Sequence, residues 1–366
     1  MYQNLTPNHT IKKIKIIDAN YVFVDGMSRS GKNSLLPIIS SFSKVEHFKD
    51  RSAYEAYVDM YVSGNLTKEG FNFLYAHDLL LDVWFTMMGR DLNTNAHDLT
   101  SIMNSSKKEE YLKRLERRDT PDTFQEIVKE VKRRQLIFPF VSEVLRGGDL
   151  LSEISKNFKY IIVMRNPIDL VFTWFRSGRG TRLGTDQRYL KPALQFKEFD
   201  NLHYSMLDNA KEFNKANPLE KCFLVIEKQM IKYLDADLLH SNNSCLVPFE
   251  NYYIETRKYV EKLEKFLGTS KTEFTSDEMS KANLPRKKDI NTFSTKANMI
   301  FDNMNEKYKH RLVNLSERYE TEISDVYKLD KITKYPKGKF KGLSIDAFSK
   351  VSAGSKYDKG KRSTNK

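Results

Sequence analysis

An apolar run that enters a glycine-rich turn near the amino terminus constrains the fold of this chain more than any other feature. Residues 21–36 are YVFVDGMSRSGKNSLL, a short apolar run, a turn and then a segment with helical spacing. A strand that passes through a tight turn into a helix directs backbone N–H groups and the helix dipole at one point, where an anion can bind. The sequence therefore predicts a phosphate-binding loop. Its residues are Gly26, Met27, Ser28, Arg29, Ser30, Gly31, Lys32, Asn33 and Ser34.

The turn matches one familiar nucleotide-binding spacing, but not completely. Gly26, Gly31 and Lys32 fit the G-x-x-x-x-G-K pattern of a P-loop, in which the next residue is a Ser or Thr that binds Mg²⁺. Here Asn33 follows, and an amide is a poor substitute for that hydroxyl. The most apolar predicted strand also ends in Arg165, where a nucleoside-triphosphate enzyme uses an Asp. We therefore favour a donor held by cationic side chains, and a P-loop kinase or NTPase is the first alternative.

Strands and helices alternate along the chain, which is typical of a parallel sheet covered by helices. The predicted strands lie at 20–25, 43–48, 160–164 and 222–227, and the predicted helices at 31–42, after Pro121, after Pro167 and over 254–267. Residues 52–157 have mainly helical patterns, and Ile137 extends one apolar stripe there. The predicted fold is α/β, with a P-loop-type parallel sheet flanked by helices and a long helical insertion. One domain is expected over 1–330.

The positive charge is concentrated at the carboxyl terminus. The net charge of the chain is +13, and residues 331–366 hold eleven Lys or Arg against two Asp, so the first 330 residues carry only +4. We expect a solvated, disordered tail and no specific nucleic-acid partner. The alternative from another class of protein is a non-catalytic nucleotide- or polyanion-binding module that uses this tail.

Cysteine usage and hydropathy limit the other classes. Cys222 and Cys245 are the two cysteines, and they have no metal-ligand spacing. No apolar run is long enough to span a membrane, and the first residues lack the apolar core of a signal peptide. We therefore expect a cytoplasmic protein without a metal site, and the sequence does not indicate an oligomeric state.

A second motif begins directly after a buried strand. In open α/β sheets ligands bind at the carboxyl ends of the strands, so Arg165 of Arg165-Asn166-Pro167 should enter the same crevice as the glycine loop. Thr173 lies one to two turns into the following helix, where its hydroxyl could face the end of the strand. An Arg and a hydroxyl together suit a phosphate monoester. The structural alternative is an internal ion pair between Arg165 and Asp169.

Together, these motifs resemble those of the sulfotransferases that use 3′-phosphoadenosine 5′-phosphosulfate (PAPS). The resemblance rests on Arg29-Ser30-Gly31 in the loop and on R-N-P-x-D with a hydroxyl residue eight positions after the Arg. Residues 247–268, VPFENYYIETRKYVEKLEKFLG, are similar to the Y-E-D-L segment and following helix of that family. The similarity covers about 20–48, 158–180 and 220–268.

The resemblance implies a role for each matching residue. The loop would hold the 5′-phosphosulfate, with Arg29 at the transferring sulfuryl group, and Arg165 and Thr173 would hold the 3′-phosphate. A basic segment near the carboxyl terminus, here Arg286, would close the 3′-phosphate pocket. This sequence departs from the family where Lys32 and Asn33 replace a Thr pair and where Thr173 replaces Ser.

The implied reaction is metal-independent, in-line transfer of a sulfuryl group from PAPS to a hydroxyl or amine of a small-molecule or glycan acceptor. Fixed N–H groups, Arg29 and Lys32 would stabilise the leaving phosphate. A base must remove the acceptor proton. Glu46 or His47 is the leading candidate, since VEHF is similar to the E-x-H-F-F segment of glycan sulfotransferases.

Other candidates for the base lie in the helical region. His77 and Asp78 are adjacent on a predicted helix, although a surface polar pair explains them equally. His97 lies in an Asn-rich loop whose composition also fits an ordinary turn.

Overall fold

The computed structural model divides the chain into two compact units. The first unit comprises residues 1–165 and 231–288, and the second comprises 166–230 and 289–366. One sulfotransferase-like domain over 1–330 stays a prediction. The residues that the structure describes are 14–49, 51–139, Leu151, Ile154, 157–185, 193–196 and 199–328. The predicted tail, 331–366, lies outside them. None of the described helices has the length and apolar character needed to cross a membrane.

The described part of the chain contains both strands and helices, as expected of an α/β protein. The strands are β1 Asn20–Asp25, β2 Gln135–Pro139, β3 Phe158–Met164, β4 Ala193–Phe196, β5 Phe199–His203 and β6 Ser244–Pro248. The helices are α1 Lys32–Ser40, α2 Ser52–Val62, α3 Lys68–Met87, α4 Lys108–Arg114, α5 Pro121–Val131, α6 Pro167–Arg176, α7 Arg179–Arg182, α8 Ala210–Lys215, α9 Pro218–Leu234, α10 Phe249–Ile254, α11 Thr256–Leu267, α12 Phe274–Lys281, α13 Ile290–Asp302 and α14 Glu306–Glu322. Short 3₁₀ turns occur at Ile102–Asn104, Tyr204–Asn209 and Asp237–His240.

The first unit is built on a parallel four-stranded sheet in the order β2–β1–β3–β6. The pairs Asp25–Ile162 and Met164–Pro248 place the carboxyl ends of β1, β3 and β6 at one edge of the sheet. The chain therefore leaves these three neighbouring strands side by side at that edge. The residues that emerge there are Gly26, Arg165 and Phe249.

An apolar core fixes α1 against this sheet. Val22 and Val24 of β1 and Val163 of β3 are fully buried, and they pack in one cluster with Leu35 and Ile39 of α1. Burial of each such side chain contributes roughly 1.5–3 kcal/mol. The start of α1, which borders the glycine loop, is thus held on a rigid support.

The second unit consists mainly of helices. Asp169 on α6 forms an ion pair with Lys296 on α13, and the rings of Phe293 and Tyr327 stack with centroids 4.5 Å apart. Strands β4 and β5 form a separate antiparallel pair.

Two predicted strands are wrong. Residues 222–227 lie inside α9, where Cys222 to Ile226 are buried, so a helix buried on most of its faces produced the continuous apolar run. The missed signal is a capping box, since the N–H of Asn217 donates to the Glu220 carboxylate and the N–H of Glu220 donates to the Asn217 side chain.

The second error concerns the edge of the sheet. Residues 43–48 form only a single bridge, from Val45 to Gln135, and the strand at this edge is β2. Ile137, which the helical spacing placed in a stripe, belongs to that strand. The predictions of β1, of α1, of the helix at Pro121 and of a helix that ends at residue 267 are confirmed.

Candidate anion-binding site

The two glycines of the loop occupy positions that no other residue fits. Gly26 has φ 134°, and a Cβ there would lie 2.1 Å from the carbonyl oxygen of Val163 on β3. Gly31 has φ 107°, and its Cβ would lie 2.1 Å from the ring of Phe249. Arg29 also has a positive φ, 69°, which is strained for a residue with a side chain. Such strain persists where the surroundings enforce it, and it often marks a functional site.

Among the described residues, no side chain caps the start of α1, where the helix leaves the loop. Gly31 is the N-cap, no side chain caps the helix, and its first turn contains no acidic residue. The hydroxyl of Ser30 is buried and has no hydrogen-bond partner among the described residues. An unpaired buried hydroxyl costs about 1–3 kcal/mol. The loop therefore offers an anion both a helix dipole and an unused donor.

Arg165, the last residue of the first segment of the first unit, contacts the loop. Nη1 of Arg165 donates to the carbonyl oxygen of Arg29 at 2.7 Å. The guanidinium carbon of Arg165 also lies 4.3 Å from the centroid of the Phe249 ring. These contacts join two motifs 136 positions apart, because β1 and β3 are neighbours with their carboxyl ends at one edge.

A row of side chains in contact, made of two aromatic rings between two guanidinium groups, extends from Arg165 to Arg286. The rings of Phe249 and Tyr253 are 4.0 Å apart, and the Arg286 guanidinium lies 4.7 Å from the Tyr253 ring. The Arg286 N–H donates to the Tyr253 carbonyl oxygen at 2.7 Å. The structure thus connects Arg286 to the loop through two aromatic residues. The resemblance of the segment VPFENYY to the family's Y-E-D-L segment implies no role for these two rings.

Lys32 and Asp25 form hydrogen bonds with the backbone of the loop. Lys32 is buried, and its Nζ donates to the carbonyl oxygen of Gly26 and, at 3.1 Å, to that of Met27. Asp25, also buried, accepts the N–H of Gly26 at 2.7 Å and the hydroxyl of Tyr233 at 3.1 Å. Asp25 matches no motif residue, but its position as the last residue of β1 places it beside the loop.

The remaining residues of the loop differ in exposure. Met27 and Ser28 are buried, whereas Asn33 is exposed on the first turn of α1. The N–H and the hydroxyl of Ser34 both donate to the carbonyl oxygen of Gly31, at 3.1 and 2.8 Å.

Thr173 lies on α6 and belongs to the second unit. Its hydroxyl donates to the carbonyl oxygen of Asp169 at 2.7 Å, which is a local bond within the helix. Because the hydroxyl proton is used in this bond, Thr173 could donate to a phosphate only after its hydroxyl rotated away from the Asp169 carbonyl oxygen.

Glu46 and His47 do not reach the loop. They follow Val45, which bridges Gln135, and Gln135 is paired with Asn20 at the first residue of β1. The loop leaves the strand five residues later, roughly 16 Å along β1 at about 3.3 Å a residue. The expectation that one of them is the base therefore has no support in this geometry.

The surroundings of Glu46 give it a structural role. Both of its oxygens accept from Arg114 at 2.9 Å, and Arg134 donates to it at 2.7 Å. Burial alone would raise the pKa of Glu46, but the charges and hydrogen bonds of these arginines lower it to about 2. Burial lowers the pKa of His47 to about 4, so its ring is neutral near pH 7.

The other candidate bases are surface groups. His77 and Asp78 form a pair with Nδ1 and Oδ1 3.2 Å apart, and the Tyr57 hydroxyl donates to Asp78 at 2.6 Å. His97 is exposed, and its N–H donates to the side chain of Asn95. Within the described part of the chain, no group of three or more His, Cys, Asp or Glu side chains is placed to hold a metal ion.

The contact between Gly31 and Phe249 gives a test of the loop. Gly31→Ala should reduce the free energy of unfolding by about 2 kcal/mol more than Gly64→Ala, measured by urea denaturation. Both glycines have positive φ and so share the backbone strain, but a Cβ at Gly64 meets nothing within 4 Å. Equal losses in the two variants would show that Phe249 does not pack against the loop.

Comparison with known proteins gives only distant likenesses. No protein-family model matches the sequence, and no curated protein matches it. Solved structures similar to this chain include the sulfotransferase domain of the Synechococcus PCC 7002 olefin synthase, at 14% identity and a TM-score of 0.42 over 85% of this chain and 98% of that one. A sulfotransferase domain from the curacin biosynthetic pathway matches at 13% and 0.41, over 87% and 100%. A sulfotransferase from Alicyclobacillus acidocaldarius matches at 13% and 0.37, with the same coverage. Likenesses at these TM-scores assign no reaction to this chain, so its function is argued below from the site.

Proposed function

We propose that this protein is a sulfotransferase that transfers the sulfuryl group of PAPS to a hydroxyl or amine of a small-molecule or glycan acceptor. The observation that carries the proposal is the hydrogen bond from Arg165 to the carbonyl oxygen of Arg29. It joins a loop suited to one phosphate group and an arginine motif suited to another. A ligand with two separated phosphates would engage both.

The residues present suit such a donor. A phosphosulfate is an anion that accepts hydrogen bonds. The uncapped start of α1 and the Ser30 hydroxyl, which has no partner among the described residues, can donate such bonds. Arg29, exposed on the loop, would supply a planar cation to the oxygens of the 5′-phosphosulfate, including those of the 5′-phosphate that remains after transfer. PAPS brings an activated sulfuryl group on a phosphate leaving group, so the protein needs to position it and stabilise its negative charge.

Arg165 and Arg286 would bind the 3′-phosphate. The rings of Phe249 and Tyr253 form the apolar wall between the two arginines. Aromatic faces next to a cationic phosphate site favour a nucleoside over inorganic pyrophosphate. The acceptor proton also needs a base, and this geometry assigns that role to neither Glu46 nor His47.

A transfer assay separates this proposal from its two alternatives. We expect the protein to consume ³⁵S-labelled PAPS, with adenosine 3′,5′-bisphosphate as the product, in the presence of EDTA. Salt-sensitive binding of a polyanion that disappears when residues 331–366 are removed, without use of PAPS, would favour the non-catalytic polyanion-binding module. Hydrolysis of ATP that requires Mg²⁺, without use of PAPS, would favour the kinase or NTPase.

A further inference from the structure

The contacts of Lys32 differ from those expected of a cation that binds a ligand. Only 6% of Lys32 is exposed, and its ammonium group donates to two carbonyl oxygens of its own loop, those of Gly26 and Met27. The lysine thus binds the carbonyl oxygens of the loop, whereas an anion would bind the N–H groups of the loop.

Because the peptide bond is planar, these contacts also fix the directions of the neighbouring backbone N–H donors. In a trans peptide the C=O of one residue and the N–H of the next point in opposite directions. Because the carbonyl groups of Gly26 and Met27 point toward Lys32, the N–H groups of Met27 and Ser28 point to the opposite face of the loop.

Neighbouring contacts hold the same arrangement. The N–H of Ser30 donates to the Met27 carbonyl oxygen at 3.0 Å, alongside Lys32. On one side of these residues, the Asp25 carboxylate accepts a hydrogen bond from the N–H of Gly26. On the other side, the Arg165 guanidinium donates to the carbonyl oxygen of Arg29. Side chains from β1, α1 and the end of β3 therefore set the orientation of successive peptide planes.

We propose that Lys32 is a positioning residue and not an anion ligand: it fixes two peptide planes so that the N–H groups of Met27 and Ser28 form the anion-binding face. The identity of the anion, an adenosine bisphosphate, rests on the proposed function. The role of Lys32 in the loop rests only on its own contacts. Its hydrogen-bond donors matter for this role, and its charge does not.

Replacement of Lys32 by a neutral donor tests this distinction. Lys32→Gln retains an N–H₂ donor near the loop carbonyl groups without the charge, whereas Lys32→Met retains no donor. We expect Lys32→Met to weaken the binding of adenosine 3′,5′-bisphosphate about tenfold or more, through two lost hydrogen bonds, and Lys32→Gln to restore most of it. Arg29→Gln and Arg29→Met are the matched pair, and we expect both to lose affinity equally because the charge of Arg29 is the contact.

Chemical denaturation of the free protein separates this inference from the proposed function. We expect Lys32→Met to lower the denaturation midpoint and Lys32→Gln to return it toward that of the wild type. If the wild type does not bind the bisphosphate, the proposed function fails, and the midpoints still decide the role of Lys32. Equal midpoints in the three proteins, or equal losses of affinity in Lys32→Gln and Lys32→Met, would overturn the inference.

Discussion

Arg165→Ala should lose about a hundredfold or more of the affinity for adenosine 3′,5′-bisphosphate, measured by calorimetric titration. Truncation of a charged group that is hydrogen-bonded to a ligand costs about 2–5 kcal/mol. In this protein the change also removes the bond to the Arg29 carbonyl oxygen and the contact with the Phe249 ring. Both the charge and the support of the loop are therefore lost.

Two controls show whether the loss is specific. Arg257→Ala makes the same change of charge on the exposed face of α11 and should leave the affinity unchanged. Adenosine 5′-monophosphate lacks the 3′-phosphate, so Arg165→Ala should weaken its binding far less. An equal loss for both nucleotides would mean that Arg165 acts on the loop alone and does not bind the second phosphate.

Arg114→Met should lower the free energy of unfolding by about 3–5 kcal/mol, because it leaves the carboxylate of Glu46 buried without its main partner. Both residues of this pair are almost fully buried, and the pair is bidentate. Urea denaturation measures the loss. Arg118→Met, an exposed arginine four positions away, should change the stability by less than about 0.5 kcal/mol.

A second variant and a pH series complete this test. Glu46→Gln in the Arg114→Met background should recover part of the loss, since the buried charge is then gone. The pKa of Glu46 is about 2 in the folded protein, against an ordinary value of 4.5. The contribution of the ion pair should therefore be complete above pH 4.5 and disappear as the pH falls toward 2. A stability of Arg114→Met equal to that of the wild type would contradict the assignment.

Local signals in the sequence predicted the loop between β1 and α1 and the arginine that follows β3. The loop between β1 and α1 depends on residues within about fifteen positions, and so does the position of Arg165 after β3. The meeting of the two also follows from one general rule, that parallel strands carry their carboxyl ends at one edge. Gly268 at the end of α11 is another local signal that the structure confirms.

The errors arise where distant contacts decide the structure. The run Cys222–Glu227 is buried on most sides, and burial of that kind looks the same in a helix and in a central strand. Glu46 resembles a catalytic carboxylate in sequence, but Arg114 and Arg134 make it an ion-pair residue. No local pattern could show that Phe249 packs between Gly31 and Arg165.

The central claim is that one adenosine bisphosphate engages both Arg29 and Arg165. Calorimetric titration of the full-length protein with adenosine 3′,5′-bisphosphate in EDTA tests it most directly. We expect one ligand to bind per chain without metal, more tightly than adenosine 5′-monophosphate binds. No binding in EDTA, or an affinity equal to that of the monophosphate, would contradict the claim.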